Sequence, residues 1–482
     1  MAKIHIIYFD IDTGYFPGVN HGLASLAAAT SKNGHFFSFQ HLSKKEPVEI
    51  AVNKTLENKP DVIGFSFSTN QRQYVSEYSE AIHDKIKILQ IAGGVDPTVA
   101  PLDVLNIKNI SGVCIGEGEY SLLELLKRID NKKDIYDIQS FWWKDSSGNI
   151  IKNPIHPLDP DLANLPLPDY SIFDTENISR ASSGWIAVLV IRGCPYNCYY
   201  CCNHVLRNIY PKKENYFRMP SVQYAIKIIK HAFSFYKNPV GISFADDLMT
   251  FNPEWFNEFS EAYSKEIGLP YTCNSRIESL FPKTIANLKK SNCKTVYIGV
   301  ESGNEKIRRE LLNRFYSNDQ IIDGFSRLKK SGIASFSYNI VGFPFETKEE
   351  MNETLEINKT IQPDNGAVFY FYPYPGTKLF DICKKNNLLF SDEEGKGVSG
   401  YFEKPAIKLT NCTVSDCIKM YRKIRLFLIS QALVSGLKLP KFCGRIFYWL
   451  TGINSAFWVN ILTKNSKFKF VIRKFFYKYF FK

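Results

Sequence analysis

The stretch IAVLVIRGCPYNCYYC, residues 186–201, joins an apolar segment to three closely spaced cysteines. Residues 186–191 are all apolar and have the length of a buried strand. Cys194, Cys198 and Cys201 follow with the spacing Cys-x3-Cys-x2-Cys. In parallel α/β folds the loops that follow the strands carry the active site. The sequence therefore predicts a cysteine cluster at a position of that kind.

Two kinds of metal site are compatible with this spacing. Three thiolates on one loop can hold three irons of a 4Fe-4S cluster and leave the fourth iron open to another ligand. The motif has no evident fourth cysteine ligand. Cys202 directly follows Cys201, and the side chains of adjacent residues rarely reach the same small cluster. The alternative is a structural zinc site in which His204 completes a Cys3His tetrahedron. The position after a buried strand favours the iron–sulfur cluster, and the cysteine spacing leaves both open.

The region around the cysteines, residues 179–390, alternates between strand and helix patterns. We predict six strands, at residues 186–191, 240–244, 270–273, 296–300, 336–341 and 367–372. Helices are predicted between the strands, for example at residues 221–236, 253–266 and 317–330. Six such units are too few for a closed eight-unit barrel. The prediction is an open, partial (β/α)6 TIM-like barrel.

Residues 1–138 form a separate alternating series. Strands are predicted at residues 4–9, 61–67, 86–91 and 113–115, and helices at residues 21–31, 47–57, 74–87 and 120–129. This alternation predicts an α/β fold with a doubly wound parallel sheet of Rossmann type, whose ligand site lies beyond the carboxyl ends of the strands. Residues 139–178 are rich in Pro, Asp and Asn and are predicted to be a linker.

Residues 391–482 differ in composition from the rest of the 482-residue chain. The net charge of the whole chain is +12. Residues 417–482 hold 14 Lys or Arg, 16 aromatic residues and no Asp or Glu, so the first 416 residues have a net charge of −2. We predict a mostly helical, basic extension. Its aromatic and basic character favours peripheral contact with a membrane interface. A helix packed on the barrel and a single-strand nucleic-acid surface are the alternatives.

The remaining composition excludes several protein classes. Charged residues make up 22% and aromatic residues 15% of the chain, which excludes a disordered protein. The first residues lack the pattern of a signal peptide. Clustered cysteines are typical of metal ligands rather than of a disulfide framework. We therefore expect a cytoplasmic protein that extends to the inner face of the membrane through its tail, and the near-neutral body argues against nucleic acid as the main partner.

At its cysteine motif the chain resembles the radical S-adenosylmethionine (radical SAM) enzymes, and its first domain is similar to that of their cobalamin-binding branch. CPYNCYYC matches the family motif. Further matches follow in order: FADDLMTFNP (244–253), CNSRIESL (273–280), IGVESGNEKI (298–307), NIVGFPFET (339–347) and YPYPGTKLF (372–380). Upstream, the cobalamin domain is matched by HGLASLAAATSKNGH (21–35), PDVIGFSFSTNQ (60–71), IAGGVDPTVAP (91–101) and IGEGEYSLLELL (115–126). The resemblance covers about residues 4–385.

The resemblance implies a reaction. An electron from a 4Fe-4S cluster cleaves bound SAM to methionine and a 5′-deoxyadenosyl radical, which abstracts hydrogen from an unactivated carbon. In many members of the branch, methylcobalamin then delivers a methyl group. The resemblance also implies an external electron donor such as flavodoxin or ferredoxin. The expected substrate is a small molecule, or a lipid-like molecule if the tail contacts a membrane. The alternatives are radical rearrangement, oxidation or cyclisation without methyl transfer, and a non-catalytic iron–sulfur or zinc protein.

Carried over by position, the resemblance also implies the roles of single residues. It assigns Cys194, Cys198 and Cys201 to the cluster. It assigns to SAM the following residues: Tyr200 at the adenine, Asp246 and Asp247 at the amino group, Arg276 at the carboxylate, and Glu301 and Ser302 at the ribose hydroxyls. The structural alternatives are helix N-caps for the two aspartates and an interdomain ion pair for Arg276.

For cobalamin, the chain lacks the Asp-x-His-x-x-Gly motif whose histidine replaces the lower axial ligand, so the lower face of the cobalt stays unassigned. The residues predicted to contact cobalamin are His21, Gly22, Ser66, Ser68, Gly93, Gly94, Gly116, Glu117 and Gly118. The glycines allow close backbone approach, and the GEGE turn at residues 116–119 opens a helix that suits an oxygen-rich ligand. Plain turns at the sheet edge, and a structural role for His21, are the alternatives.

Overall fold

The computed structural model describes residues 1–11, 18–390, 404–437 and Tyr448. The N-terminal sheet is built from β1 (Lys3–Phe9), β2 (Phe36–Leu42), β3 (Val62–Ser66), β4 (Leu89–Gly93), β5 (Gly112–Cys114), β6 (Phe141–Lys144) and β7 (Ile150–Lys152). Its strand order is β2-β1-β3-β4-β5-β6-β7, with the first five strands parallel and the last two antiparallel. The order reverses between β1 and β3, which is where such sheets bind ligands.

Helices cover both faces of this sheet. They are α1 (His21–Lys32), α2 (Val48–Glu57), α3 (Arg72–Lys85), α4 (Val95–Val99), α5 (Pro101–Leu105) and α6 (Glu119–Asp130). On one face Ile4 and Ile6 share a core with Leu23 of α1. On the other face Ile7 and Phe9 share a core with α2 and α3. Alternate strand residues therefore face opposite cores, as the predicted doubly wound sheet requires.

The sheet contains three strands that the sequence did not predict. β2 is an edge strand whose residues are mostly half-buried, so it lacks the apolar run of a central strand. β6 and β7 form an antiparallel pair inside the stretch that was predicted to be a linker. Trp143 of β6 covers Gly112, where a Cβ atom would overlap the indole ring. The first part of the predicted linker therefore belongs to the sheet.

The second sheet consists of β8 (Trp185–Val188), β9 (Gly241–Phe244), β10 (Tyr271–Ser275), β11 (Cys293–Glu301), β12 (Ala334–Val341) and β13 (Asn365–Tyr370). All neighbouring strands are parallel and follow chain order, so the sheet is the open six-stranded barrel that was predicted. The helices of this region are α7 (Thr175–Ala181), α8 (Cys202–Asn208), α9 (Val222–Phe233), α10 (Pro253–Glu266), α11 (Pro282–Lys290), α12 (Asn318–Ser331), α13 (Lys348–Ile361) and α14 (Lys378–Lys385).

The last described helix, α15 (Val414–Gly436), packs against the outside of the barrel. It begins at a capping box in which Thr413 accepts from Asp416 N. Its apolar side chains share a core with β12, β13 and α13, and the Tyr370 and Tyr421 rings stack at 4.2 Å. The packed-helix alternative therefore holds for this part of the tail. Residues 438–482 lie outside the described residues except for Tyr448, and no helix in the described part is long and apolar enough to cross a bilayer.

Candidate functional site

The three predicted cluster cysteines lie on the loop between β8 and α8. Cys198 is buried, whereas Cys194 and Cys201 are partly exposed. Arg276 Nη1 donates to Cys198 Sγ at 3.2 Å, and Asn203 Nδ2 contacts Cys201 Sγ at 3.7 Å. Both sulfurs therefore receive hydrogen bonds of the kind that surround an iron–sulfur cluster.

The thiols of this loop need a bound cation to become ligands. Burial raises the pKa of the Cys194 thiol to about 12, so the positive charge of a metal, iron or zinc, is what makes it a thiolate. Within the described residues, no three His, Cys, Asp or Glu side chains surround one ion position. Both metal sites considered from the sequence, the three-cysteine cluster and the Cys3His tetrahedron with His204, stay predictions at this point.

Gly193 shapes the entry to the cysteine loop. Its φ of +79° lies in the left-handed region, and a Cβ atom there would overlap the Tyr216 carbonyl oxygen. The residues just before it are held by Asp246, whose Oδ1 accepts from the backbone N–H groups of Val190 and Ile191. The loop is thereby fixed to the ends of β8 and β9.

Asp246 and Asp247 occupy different environments. Asp246 is fully buried, and burial raises the pKa of its carboxyl to about 7. Asp247 instead accepts from Asn203 Nδ2 at 3.1 Å and lines a cavity. Neither caps a helix, since α10 begins after Asn252, which is its N-cap. The N-cap alternative is therefore wrong for both aspartates.

Tyr200 and Glu301, predicted to contact different groups of SAM, are joined through Arg314. Tyr200 Oη donates to Glu301 Oε1 at 2.8 Å, and Arg314 Nη2 donates to Tyr200 Oη at 2.7 Å. Arg314 also pairs with Glu301 at 3.1 Å. Glu301 has a φ of +64°, beside an irregularity in the pairing of β11 and β12. Sequence reasoning missed Arg314, because no spacing links it to partners on two other segments.

Arg276 and Ser302, the other predicted SAM contacts, already have partners within the barrel. Arg276 Nη2 bonds Glu278 Oε1 at 2.6 Å, and its guanidinium lies 3.6 Å from the Tyr196 ring centroid. This ion pair lies two residues along the same segment, so the interdomain pair considered for Arg276 is wrong. The buried Ser302 hydroxyl accepts from Asn304 N at 3.2 Å.

A cavity of about 480 Å³ lies between the two sheets. The N-terminal part of its wall includes all nine residues predicted for cobalamin, namely His21, Gly22, Ser66, Ser68, Gly93, Gly94, Gly116, Glu117 and Gly118. The barrel contributes Arg192, Gly193, Leu206, Tyr210, Tyr216 and Asp247. Most of the lining is apolar. The structure therefore gathers the predicted cobalamin residues in one cavity, next to the cysteine loop.

Backbone shape and buried contacts define the cavity wall. Gly94 and Gly116 have φ values of +105° and +83°, and a Cβ atom on Gly116 would overlap Tyr210 Oη. His21 Nδ1 lies 2.8 Å from Tyr170 Oη, and burial, together with the charge of Arg192, lowers its pKa to about 4. His21 is therefore a neutral imidazole at neutral pH.

Glu117 joins the N-terminal domain to the barrel rather than standing free in the cavity. Its Oε2 pairs with Arg192 Nη1 at 2.9 Å, and its Oε1 pairs with Arg218. Its backbone N–H donates to Tyr210 Oη at 2.8 Å. Arg192 also pairs with Glu119 at 2.8 Å. The GEGE turn is thus fastened to the segment that leads into the cysteine loop.

Two family models match the chain, the B12 binding domain over residues 10–126 and the radical SAM superfamily over residues 188–357. This chain is a radical SAM enzyme with a B12-binding domain. Its cofactors are a 4Fe-4S cluster, SAM and cobalamin. The cysteine loop lies at the start of the second matched region, and the nine predicted cobalamin residues lie within the first.

Relatives of this radical SAM enzyme include an uncharacterised methyltransferase from Pyrococcus horikoshii, 26% identical over 369 residues that cover 76% of this chain and 77% of the relative. In fold it is similar to OxsB, a cobalamin-dependent S-adenosylmethionine radical enzyme solved with aqua-cobalamin and S-adenosylmethionine (TM-score 0.70, 14% identity, 98% of this chain and 75% of OxsB). It is also similar to the radical SAM methyltransferase TsrM from Kitasatospora setae (TM-score 0.65, 13% identity, 80% and 76%).

Proposed function

We propose that this radical SAM enzyme transfers a methyl group to an unactivated carbon of a small or lipid-like substrate. The observation that carries the proposal is the wall shared by the cobalamin cavity and the cysteine loop, since Gly193 lines the cavity and directly precedes Cys194. When bound, the cluster supplies the electron that cleaves SAM, and cobalamin supplies a methyl carrier. The methyltransferase relatives support the same reaction.

In this proposal each group of side chains has its own task. Cys194, Cys198 and Cys201 hold the cluster. The residues that orient SAM are Tyr200, Asp247, Arg276 and Glu301, with Asp246 and Ser302 bracing the strand ends that present them. The nine cavity residues of the N-terminal domain hold cobalamin, and the apolar lining keeps water from it. The domain division at residues 178 and 390 is part of the proposal, while the N-terminal domain extends past residue 138 to include β6 and β7, which belong to its sheet.

Anaerobic reconstitution tests the proposal. We expect about four irons per chain, a cobalamin absorption spectrum after gel filtration with aquacobalamin, and 5′-deoxyadenosine that forms only with reductant. With methyl-deuterated SAM and a small-molecule extract of the source cells, a product should carry the label. Deuterium-free products with normal 5′-deoxyadenosine would indicate rearrangement, oxidation or cyclisation instead. Zinc without SAM cleavage would reject the enzyme.

For its electron supply, we propose flavodoxin or ferredoxin as the physiological donor of this enzyme. Radical SAM enzymes need an electron donor, and the three-cysteine cluster is predicted to receive the electron. Replacing dithionite by reduced flavodoxin or ferredoxin, each with its reductase and NADPH, should sustain 5′-deoxyadenosine formation. Cleavage that dithionite supports and both proteins fail to support would reject this pair of donors.

We further propose a cytoplasmic enzyme whose tail touches the inner face of the membrane. Residues 438–482 carry ten Lys or Arg and no acidic residue, together with most of the tail's aromatic residues. The test compares the full chain with one that ends at Leu437, because a shorter chain would cut into packed α15. The full chain should sediment with anionic liposomes and stay in the supernatant with zwitterionic ones. Equal sedimentation of both chains would reject membrane contact.

A further inference from the structure

The Asn203 side chain links the cobalamin cavity to the cysteine loop. Its Nδ2 donates to Asp247 Oδ2 at 3.1 Å and contacts Cys201 Sγ at 3.7 Å. Its Oδ1 accepts from Tyr216 Oη at 2.6 Å. One amide therefore contacts two cavity-lining side chains and one predicted cluster ligand.

The chemistry of the partners fixes the orientation of this amide. The NH2 group of Asn203 faces Asp247 Oδ2, which accepts its hydrogen bond. The amide oxygen then faces Tyr216, whose hydroxyl can donate to it. The two hydrogens on Nδ2 are directed to Asp247 and to the Cys201 sulfur, so a shift of the amide changes both contacts together.

Tyr216 has little freedom to move independently of the cysteine loop. It is buried, with 8% of its surface exposed, and its carbonyl oxygen lies directly against Gly193. Arg192 and Arg218, which flank Gly193 and Tyr216 in sequence, form a two-residue β-bridge. Tyr216 and the cysteine loop therefore hold each other in place, and a ligand that contacts Asp247 in the cavity acts on the Asn203 amide between them.

Hydrogen bonds to cluster sulfurs raise the reduction potential, because they stabilise the more negative, reduced form. The Asn203 Nδ2–Cys201 Sγ contact of 3.7 Å is longer than the 3.2 Å contact that Arg276 Nη1 makes with Cys198 Sγ. Cobalamin carries peripheral amides that donate hydrogen bonds to carboxylates. A donor that binds Asp247 from the cavity would weaken the hold of Asp247 on Asn203 and would let the amide approach the sulfur.

We propose that Asn203 is a positioning residue through which cobalamin in the cavity raises the reduction potential of the cluster. The inference rests on the proposed role of Cys201 as a cluster ligand. It adds a coupling between the two cofactors, so that the enzyme accepts its electron more readily once cobalamin is present. By linkage, reduction of the cluster must then strengthen cobalamin binding by the same factor.

The test is an anaerobic redox titration of the reconstituted full chain, followed by the EPR signal of the reduced cluster, without and with aquacobalamin. In the wild type the midpoint potential should rise when cobalamin is added. In Tyr216→Phe, which keeps the ring and removes the donor to Asn203, the rise should be reduced or lost. In Asn203→Leu the potential should be lower even without cobalamin, because the donor to the sulfur is gone.

Tyr210→Phe is the matched control. Tyr210 also lines the cavity, and its ring stacks with Tyr216 at 6.3 Å, but its hydroxyl contacts Glu117 N rather than Asn203. This variant should keep the wild-type rise in potential at saturating cobalamin. If Asn203→Leu fails to assemble a cluster, the two tyrosine variants still decide the question.

An unchanged midpoint potential when wild-type protein binds cobalamin would overturn the proposal, as would equal rises in both tyrosine variants. Cobalamin binding is followed separately by its absorption. Cys201→Ala separates the coupling from the ligand assignment on which it rests. A variant that retains the full cluster would reject the assignment and the coupling with it. A lost cluster in Cys201→Ala together with an unresponsive wild-type potential would reject the coupling alone.

Discussion

Arg192 Nη1 and Glu117 Oε2 lie 2.9 Å apart and join the segment that leads into the cysteine loop to the GEGE turn of the N-terminal domain. The same carboxylate pairs with Arg218, whose side chain is 4% exposed. Glu117 and Arg192 also line the cavity. The position of the B12-binding domain over the barrel is therefore set by charges at the site itself.

Removing this charge by Glu117→Gln should destabilise the protein and weaken aquacobalamin binding. Arg192 and Arg218 would lose a common partner, and a partly buried pair of this kind is worth about 2 kcal/mol. Thermal unfolding and equilibrium binding measure the two effects. Glu124→Gln is the control, since Glu124 forms an exposed pair with Arg128 on α6 and should change neither quantity. Equal behaviour of the two variants would contradict the role of Glu117.

Cys194→Ala should abolish 5′-deoxyadenosine formation and deplete the cluster. The variant leaves two thiolates on the loop, which cannot hold the irons that three hold. Cys202→Ala is matched to it, because Cys202 adjoins Cys201 and is not a proposed ligand. Iron content and the EPR signal of the reduced protein check both variants. A cluster that is retained in Cys194→Ala and lost in Cys202→Ala would show that Cys202, and not Cys194, is a cluster ligand.

Gly93→Val should weaken aquacobalamin binding about tenfold or more and leave the melting temperature near that of the wild type. Gly93 ends β4 and lines the cavity, and a Cβ atom there would meet nothing closer than Cys114 Cβ at 3.9 Å. The added methyl groups therefore occupy cavity volume rather than the protein core. Overpacking of that size costs about 1–3 kcal/mol, and a loss of about 1.4 kcal/mol in binding free energy weakens the affinity tenfold. Gel filtration with aquacobalamin measures the affinity. Unchanged binding would place cobalamin away from β4.

The stability of the protein should fall as pH rises from about 5 to about 8, in part because of Glu346. Burial raises the pKa of this carboxyl from 4.5 to about 8, although Gly342 N and Phe343 N donate to Oε2. Above pH 4.5 the unfolded chain releases this proton before the folded protein does, which favours unfolding by about 1.4 kcal/mol per pH unit.

Glu346→Gln removes this titration and keeps an oxygen acceptor for the two N–H groups. The buried Oε1 has no hydrogen-bond partner in the structure, so an amide nitrogen at that position breaks no contact. The variant should match the wild type near pH 5 and unfold at a higher temperature at pH 8. Melting curves across this range give the difference. If the melting temperatures of the two proteins changed in parallel with pH, the raised pKa of Glu346 in the folded protein would be contradicted.

The barrel and most of the N-terminal sheet could be predicted from local patterns. The barrel strands contain short segments rich in apolar, β-branched and aromatic residues, and helices such as α10 and α12 begin directly after Asn252 and Ser317, whose side chains cap them. β2, β6 and β7 could not be predicted in this way, because they lie at or near the sheet edge, where alternating or mixed composition resembles a loop.

In the candidate site, too, the residues with a local sequence signal could be predicted and the others could not. The cysteine spacing and the glycine-rich turns are local signals, and they identified the loop and the cavity residues. Arg314, Asn203 and Tyr216 carried no such signal, because their partners lie on other segments of the chain. The partners of Arg276 and Asp246 were also beyond reach, since burial and neighbouring backbone decide them.

The sequence by itself determined the chemistry of this protein, because cofactor ligands and turn glycines depend on residue type and spacing within a few positions. Only the tertiary structure decided how the two predicted cofactor sites are joined. Glu117, Arg192 and Arg218 meet across the domains, and Asn203 lies between the cavity and the cysteine loop. Such contacts depend on how the two sheets pack, which no local pattern encodes.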